Sequence, residues 1–179
     1  MSVITATALT GITTRVADAT MSAGSILQVV QTVKTDVFTT SASGSSWTEV
    51  TGLNVTITPS STDNKILIDA NICCSVGKTS YTNFWSLYDG STQLTAFIGD
   101  AGQSNQTRVQ AMERGTANQP ATVRMSALVS PSSTSAKTYK VYCLNENTSY
   151  LSVNSMYVDA NEQYYGRGAS TITAMEVAG

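Results

Sequence analysis

The sequence predicts an all-β protein: an antiparallel β-sandwich of jelly-roll type with an extended N-terminal arm. Three observations carry this. Apolar residues recur at every second position in one run after another, which is the period of a half-buried strand and not of a helix. The runs are short and divided by Gly, Ser, Asn and Pro clusters at near-regular spacing, and no stretch offers a ten-residue helix with capping residues. The last run, 169–179, fed by the Gly166-Arg167-Gly168 turn, is β-branched or small almost throughout, and a strand in that position is expected to be ordered only by pairing with strands already in place.

Taken in order, residues 1–24 contain small and β-branched residues without a sustained period. They are read as an attachment arm whose apolar members are Val3, Ile4, Leu9, Ile12 and Val16. Residues 25–179 form the knob domain. Its first strong strand is 25–35, the expected partner of the closing strand that carries Ile172, Ala174, Met175 and Val177. Leu53, Val55 and Ile57 alternate with Asn54, Thr56 and Thr58; a turn at 59–64 follows, and Ile66, Ile68, Ala70 and Ile72 resume the alternation, which predicts a hairpin. Asp89-Gly90 is the strongest hairpin signal in the chain, and it predicts that 81–88 returns as 93–98. After a polar loop at 99–106, the runs 107–112 and 121–129 read as a further antiparallel pair, and 130–135 repeats the turn chemistry of 59–62. Tyr139, Val141 and Cys143 continue the alternation, and a short strand is expected at 149–153. An immunoglobulin-like sandwich is the alternative, weakened because neither Trp47 nor Trp85 is bracketed by suitably spaced cysteines.

Composition narrows the function classes. The 179 residues suffice for one substantial core, and with 12% charged residues against more than a quarter Ser and Thr, the surface must be hydroxyl-rich and not ionic. The ten Lys and Arg are dispersed at a net charge of −2, so no electrostatic footprint for nucleic acid exists. No run of eighteen uncharged apolar residues suggests membrane insertion. Three cysteines, two of them adjacent at Cys73 and Cys74, fit neither a disulfide framework nor zinc spacing, and read as small core hydrophobes folded under reducing conditions.

Chemistry is sparse. There is no histidine, which removes hydrolase triads, imidazole-ligated metals and the commonest general base. Asp159-Ala160-Asn161-Glu162 lacks the pattern of an EF-hand loop and reads as a polar loop; Gly166-Arg167-Gly168 reads as a tight turn, since no helix follows it to receive a phosphate. No catalytic residue, cofactor or metal is expected. Aromatics are more informative: Tyr81, Phe84, Trp85, Tyr88 and Phe97 gather in one hairpin, and neighbours in a strand point to opposite faces, so this hairpin is the candidate subunit interface. Exposed Tyr and Trp stacked on sugars would give a lectin-like carbohydrate-binding module instead.

The blocks GSILQVVQTVKTDVFTT, WTEVTGLNVTITPSSTDNKILI, VSPSSTSAKTYKVY and YYGRGASTITAMEV, in that order, resemble the short structural proteins and fibre-tip domains of tailed phages that infect marine bacteria and cyanobacteria. The similarity covers about residues 24–179 and is most specific at ITPSSTDNKILI and GRGASTITAMEV. It implies a non-enzymatic, trimeric β-sandwich knob on the virion surface, made in the host cytoplasm. Its partners would be copies of itself, other virion proteins met through the arm and, at a fibre tip, a host surface glycan. Only about two dozen residues precede the knob, which favours capsid decoration or a head fibre over a tail-fibre tip.

Overall fold

The computed structural model describes residues 21–41, 46–77, 79, 81–100, 102–146 and 150–179. The arm residues Val3, Ile4, Leu9, Ile12 and Val16 lie outside the described residues. Eleven strands are found among those described: β1 (Ile26–Lys34), β2 (Phe38–Thr40), β3 (Thr48–Ile57), β4 (Lys65–Val76), β5 (Thr82–Asp89), β6 (Thr92–Gln93), β7 (Ala111–Arg114), β8 (Pro120–Val129), β9 (Lys137–Asn145), β10 (Leu151–Val153) and β11 (Ser170–Val177). They build two antiparallel sheets packed as a sandwich. The first follows the order β1-β11-β4-β10-β2 with β8 on the free side of β4; the second follows β3-β9-β5-β6 with β7 beside β5.

Leaving out the three shortest strands, the antiparallel partners are nested along the chain: β1 with β11, β3 with β9, β4 with β8, and β5 with β7. That nesting is one long antiparallel ribbon rolled into two four-stranded sheets, which is the jelly-roll plan. The predicted closure therefore holds, with Ile26 opposite Val177 and Lys34 opposite Ser170. The closing strand is also central, because β11 pairs with β4 along its other side, Thr171 opposite Asn71 through Val177 opposite Lys65.

Period-2 alternation sets the core. Leu53, Val55 and Ile57 on β3, Ile66 to Ile72 at even positions on β4, Val123, Met125 and Ala127 on β8, and Ile172 and Ala174 on β11 all meet between the sheets, with Tyr139, Val141 and Cys143 opposite them on β9. Met175 and Val177 point outward and are half-buried. Cys74 and Cys143 are core residues, as expected of small hydrophobes, while Cys73 faces outward beneath Gly168. A Cβ on Gly168 would lie 2.6 Å from the Cys73 sulfur, so glycine is required there by close approach.

Two expected strands are shorter than the alternation implies. The return strand 93–98 is reduced to β6, after which a turn of 3-10 helix at Thr95–Phe97 leads the chain off the sheet edge. The run 107–112 becomes strand only from Ala111. Between these pieces the Gln110 side chain accepts a hydrogen bond from Leu87 N at 2.7 Å and so takes the place of the missing ladder partner.

Two strand breaks coincide. β1 and β2 run end to end on one side, and β11 and β10 run end to end beside them. Asn154 bridges both breaks from a left-handed backbone conformation, φ 67°. Its amide nitrogen donates to Lys34 O at 2.8 Å and Asp36 O at 3.0 Å, and its carbonyl oxygen accepts from Ser170 Oγ at 2.6 Å.

Candidate functional site

The aromatic hairpin does not form one apolar face. Trp85 and Leu87 point inward and are fully buried in the chain's own core, so Trp85 is not an interface residue; its pairing with Ala111 and Cys143 on neighbouring strands leaves it no path to the surface. Phe97 packs against the same core from the 3-10 turn, and Tyr81 is half-buried at the start of the strand. On the outer face Tyr88 stacks on Tyr142 with ring centroids 4.0 Å apart, and Trp47 tilts against Tyr88 at 5.9 Å. Burial, with Tyr142 adding to it, pushes the Tyr88 phenol up to about 12, so this stack is packing and not acid–base machinery. Lys140 joins it by donating to Glu49 at 2.7 Å.

Beyond the stack the outer face opens into a groove of about 690 Å³. Its floor is a row across three strands, Met112 opposite Phe84 and Phe84 opposite Leu144, because β7, β5 and β9 hold these outward positions in register. Val109 adds to the lining, and the remainder comes from Gly99-Asp100, 105–108 and Glu146. The walls are braced from within: Arg108 Nε donates to Gly99 O at 2.7 Å, Gly99 N to Val109 O at 3.1 Å, and Gln103 N to Gln106 Oε1 at 2.9 Å. Glu146 accepts from Thr82 N at 2.8 Å, and that bond holds its carboxyl below the usual range, so it stays ionised. The sequence reads 99–106 as a plain polar loop; the signal passed over was the density of amide and carboxylate groups from Asp100 to Gln106, followed closely by Arg108.

The outer face of the other sheet is different. Val29, Met175, Leu67 and Leu128 stand opposite one another on β1, β11, β4 and β8, giving one apolar row from edge to edge. Ile26 and Val33 extend it along β1, and Ile26, Val29, Val33 and Leu128 are each about half exposed. Among the described residues β1 pairs with β11 alone and β8 with β4 alone, so both ends of the row lie at open sheet edges.

A third cluster is polar and buried. Glu176 continues the inward set of Ile172 and Ala174, is fully buried, and lies where the turn between β3 and β4 covers the end of the sandwich. Its Oε1 accepts from Ser60 N at 2.6 Å, Ser60 Oγ at 2.7 Å and Asn64 Nδ2 at 2.8 Å; its Oε2 accepts from Gln28 Nε2 at 2.6 Å. Burial alone would raise its pKa, but the hydrogen bonds from Ser60, Asn64 and Gln28 outweigh that and hold the carboxyl below the usual range. Ser60 and Asn64 come from ITPSSTDNKILI, Glu176 from GRGASTITAMEV and Gln28 from the first strand, so separate motifs of the sequence join at one carboxylate. Among the described residues no group of three or more His, Cys, Asp or Glu is placed to hold a metal.

No family model and no curated protein matches the chain. Among solved structures, that of infectious bursal disease virus, Gx strain, is similar over 88% of this chain and 39% of its own, at 14% identity and a TM-score of 0.44. The chain thus spans about two fifths of the length of that structure's chain.

Proposed function

We propose that this chain is a non-enzymatic structural protein of a tailed phage, a trimeric knob on the virion surface held by its N-terminal arm, in a capsid-decoration or head-fibre role. The observation that carries the reading is the apolar row Val29, Met175, Leu67 and Leu128 left uncovered on a single chain. Soluble chains seldom leave such a row in water, and its natural cover is another copy. The two ends of the row carry different residues, Val29 at the β1 edge and Leu128 at the β8 edge. A copy that meets one edge with the other forms a heterologous contact, which makes a ring where the rotation between copies closes, a third of a turn for a trimer, and not a two-fold pair. The resemblance to phage knobs supports the same assignment, and the Glu176 clasp joins the two motifs that are most specific to it.

Light scattering on the full chain should give three chain masses at micromolar concentration, and Val29→Lys with Leu128→Lys should give one, with the core unchanged. A stable monomer of the unsubstituted chain overturns the assembly. Mass spectrometry of purified particles of the phage that encodes it should find the chain, and its absence there overturns the virion role. Removing residues 1–20 should leave a folded oligomer that no longer sediments with particles lacking this component. A fibre tip that meets the host is the second reading, and the groove over Phe84 favours it.

A further inference from the structure

We infer that the groove floored by Phe84, Met112 and Leu144 is a binding site for a neutral saccharide of one or two pyranose rings. The inference rests on one chain's geometry and holds whether or not the copies assemble.

Its volume, about 690 Å³, falls within the ~300–1,000 Å³ typical of small-ligand sites. The floor is narrow and apolar, suited to the C–H face of a sugar ring, with an aromatic at its centre. The walls supply what the hydroxyls around such a ring require: amide groups that both donate and accept at Asn105 and Gln106, a hydroxyl at Thr107, carboxylates at Asp100 and Glu146, and a guanidinium at Arg108. Arg108 is committed to Gly99 O only through Nε, and Glu146 to Thr82 N through Oε2.

Charge selects within the saccharides. Asp100 and Glu146 are set against Arg108 in the lining and Arg114 close to Glu146, so the charges balance and no net positive field draws sialic or uronic acids, while the mixed polar groups suit an uncharged polyol. A purely apolar partner fits poorly, because it would bury those charged walls without replacing their hydrogen bonds to water. The bracing bonds lie within the chain itself, so the site is formed before a ligand arrives and ordering costs on binding are small. Met112, exposed and unbranched, gives the floor one adaptable edge.

The test is an amide chemical-shift titration of the full chain with the methyl glycosides of glucose, galactose, mannose and N-acetylglucosamine, with N-acetylneuraminic acid as charged control. At least one neutral glycoside should shift the amides of Phe84, Arg108 and Glu146 with a Kd of about a millimolar. Met112→Glu, at an exposed position, should lower that affinity about tenfold or more, and Asn105→Ala should lower it less, with the thermal unfolding of both variants unchanged. Shifts from the acidic sugar alone, shifts from none of the sugars, or neutral-sugar shifts that survive Met112→Glu undiminished would each overturn the assignment.

Discussion

Replacing Glu176 tests whether the fold is closed by a charge. In Glu176→Gln the shape is kept and Oε1 can still meet Ser60 and Asn64, but the new amide nitrogen then faces Gln28 Nε2. Gln28 cannot turn its own amide over to help, because the same nitrogen also donates to Thr58 O at 2.7 Å. One charge-assisted bond is lost and three become neutral, while the cost of burying a charge is removed; the net loss is about 2 kcal/mol. Glu176→Ala removes the acceptor entirely. Asn64 Nδ2 and Gln28 Nε2 each give up a charge-assisted bond at about 1.5–3 kcal/mol, though they keep Ser60 Oγ and Thr58 O, and one methylene of packing goes at about 0.8 kcal/mol, so the loss is about 4 kcal/mol. Urea unfolding followed by tryptophan emission is the assay, since Trp85 is fully buried and reports the core. The pH dependence separates charge from shape. The folded carboxyl titrates below its ordinary 4.5, so its contribution is complete above that value and is lost as pH falls through the lower folded pKa. The gap between wild type and Glu176→Gln should therefore narrow on acidification from pH 6 and close at the acid end. A gap that stays constant with pH, or an Ala variant as stable as the wild type, would refute the clasp.

Three further outcomes are expected. Asn154→Ala should cost about 3 kcal/mol, from lost bonds to Lys34 O, Asp36 O and Ser170 Oγ plus left-handed strain, and Asn154→Gly should recover about 1 kcal/mol of it in the same urea series. Gly168→Ala should destabilise by about 1–3 kcal/mol through the Cys73 sulfur, and Cys73→Ala in the same chain should restore part of the loss but not all, because Cys73 Cβ remains 3.0 Å from the new methyl; thermal unfolding of the double variant measures it. With burial pushing the Cys143 thiol up to about 12 and the Cys74 thiol higher still, an aromatic disulfide reagent at pH 8 should label no more than one of the three cysteines in the native chain and all three in urea.

Alternation made most of the fold legible. The inward sets of β3, β4, β8 and β9 are those the sequence spacing assigns, because each strand there has one face in the core and one in water. The pairing of β1 with β11 was readable from composition, since both runs are rich in β-branched residues and the last needs a partner to be ordered. The hairpin after Asp89-Gly90 was misjudged in length, since propensity says nothing of a glutamine side chain standing in for a strand. Trp85 could be placed opposite Phe84, but not on the inner side, because aromatics fit either face. Glu176 carried a signal that went unused: it lies in phase with Ile172 and Ala174, so a strand with those residues inward must bury a carboxylate. Its partners Ser60 and Asn64 were hidden in a turn whose chemistry already explained them as turn residues. The groove was illegible because it depends on where a long connection comes to rest, which no local pattern fixes.

The central position of β11 bears on how the chain reaches this structure. Until that strand arrives, β1 and β4 are separate pieces with a strand-wide slot between them, and the strand that fills it lies some 140 residues from β1, so closure is slow relative to local hairpin formation. An open slot does not distinguish its own chain's β11 from that of another molecule refolding beside it. Strand exchange between copies is thus the characteristic misassembly of this topology, and intramolecular closure prevails only where chains are dilute enough for the tethered strand to arrive first.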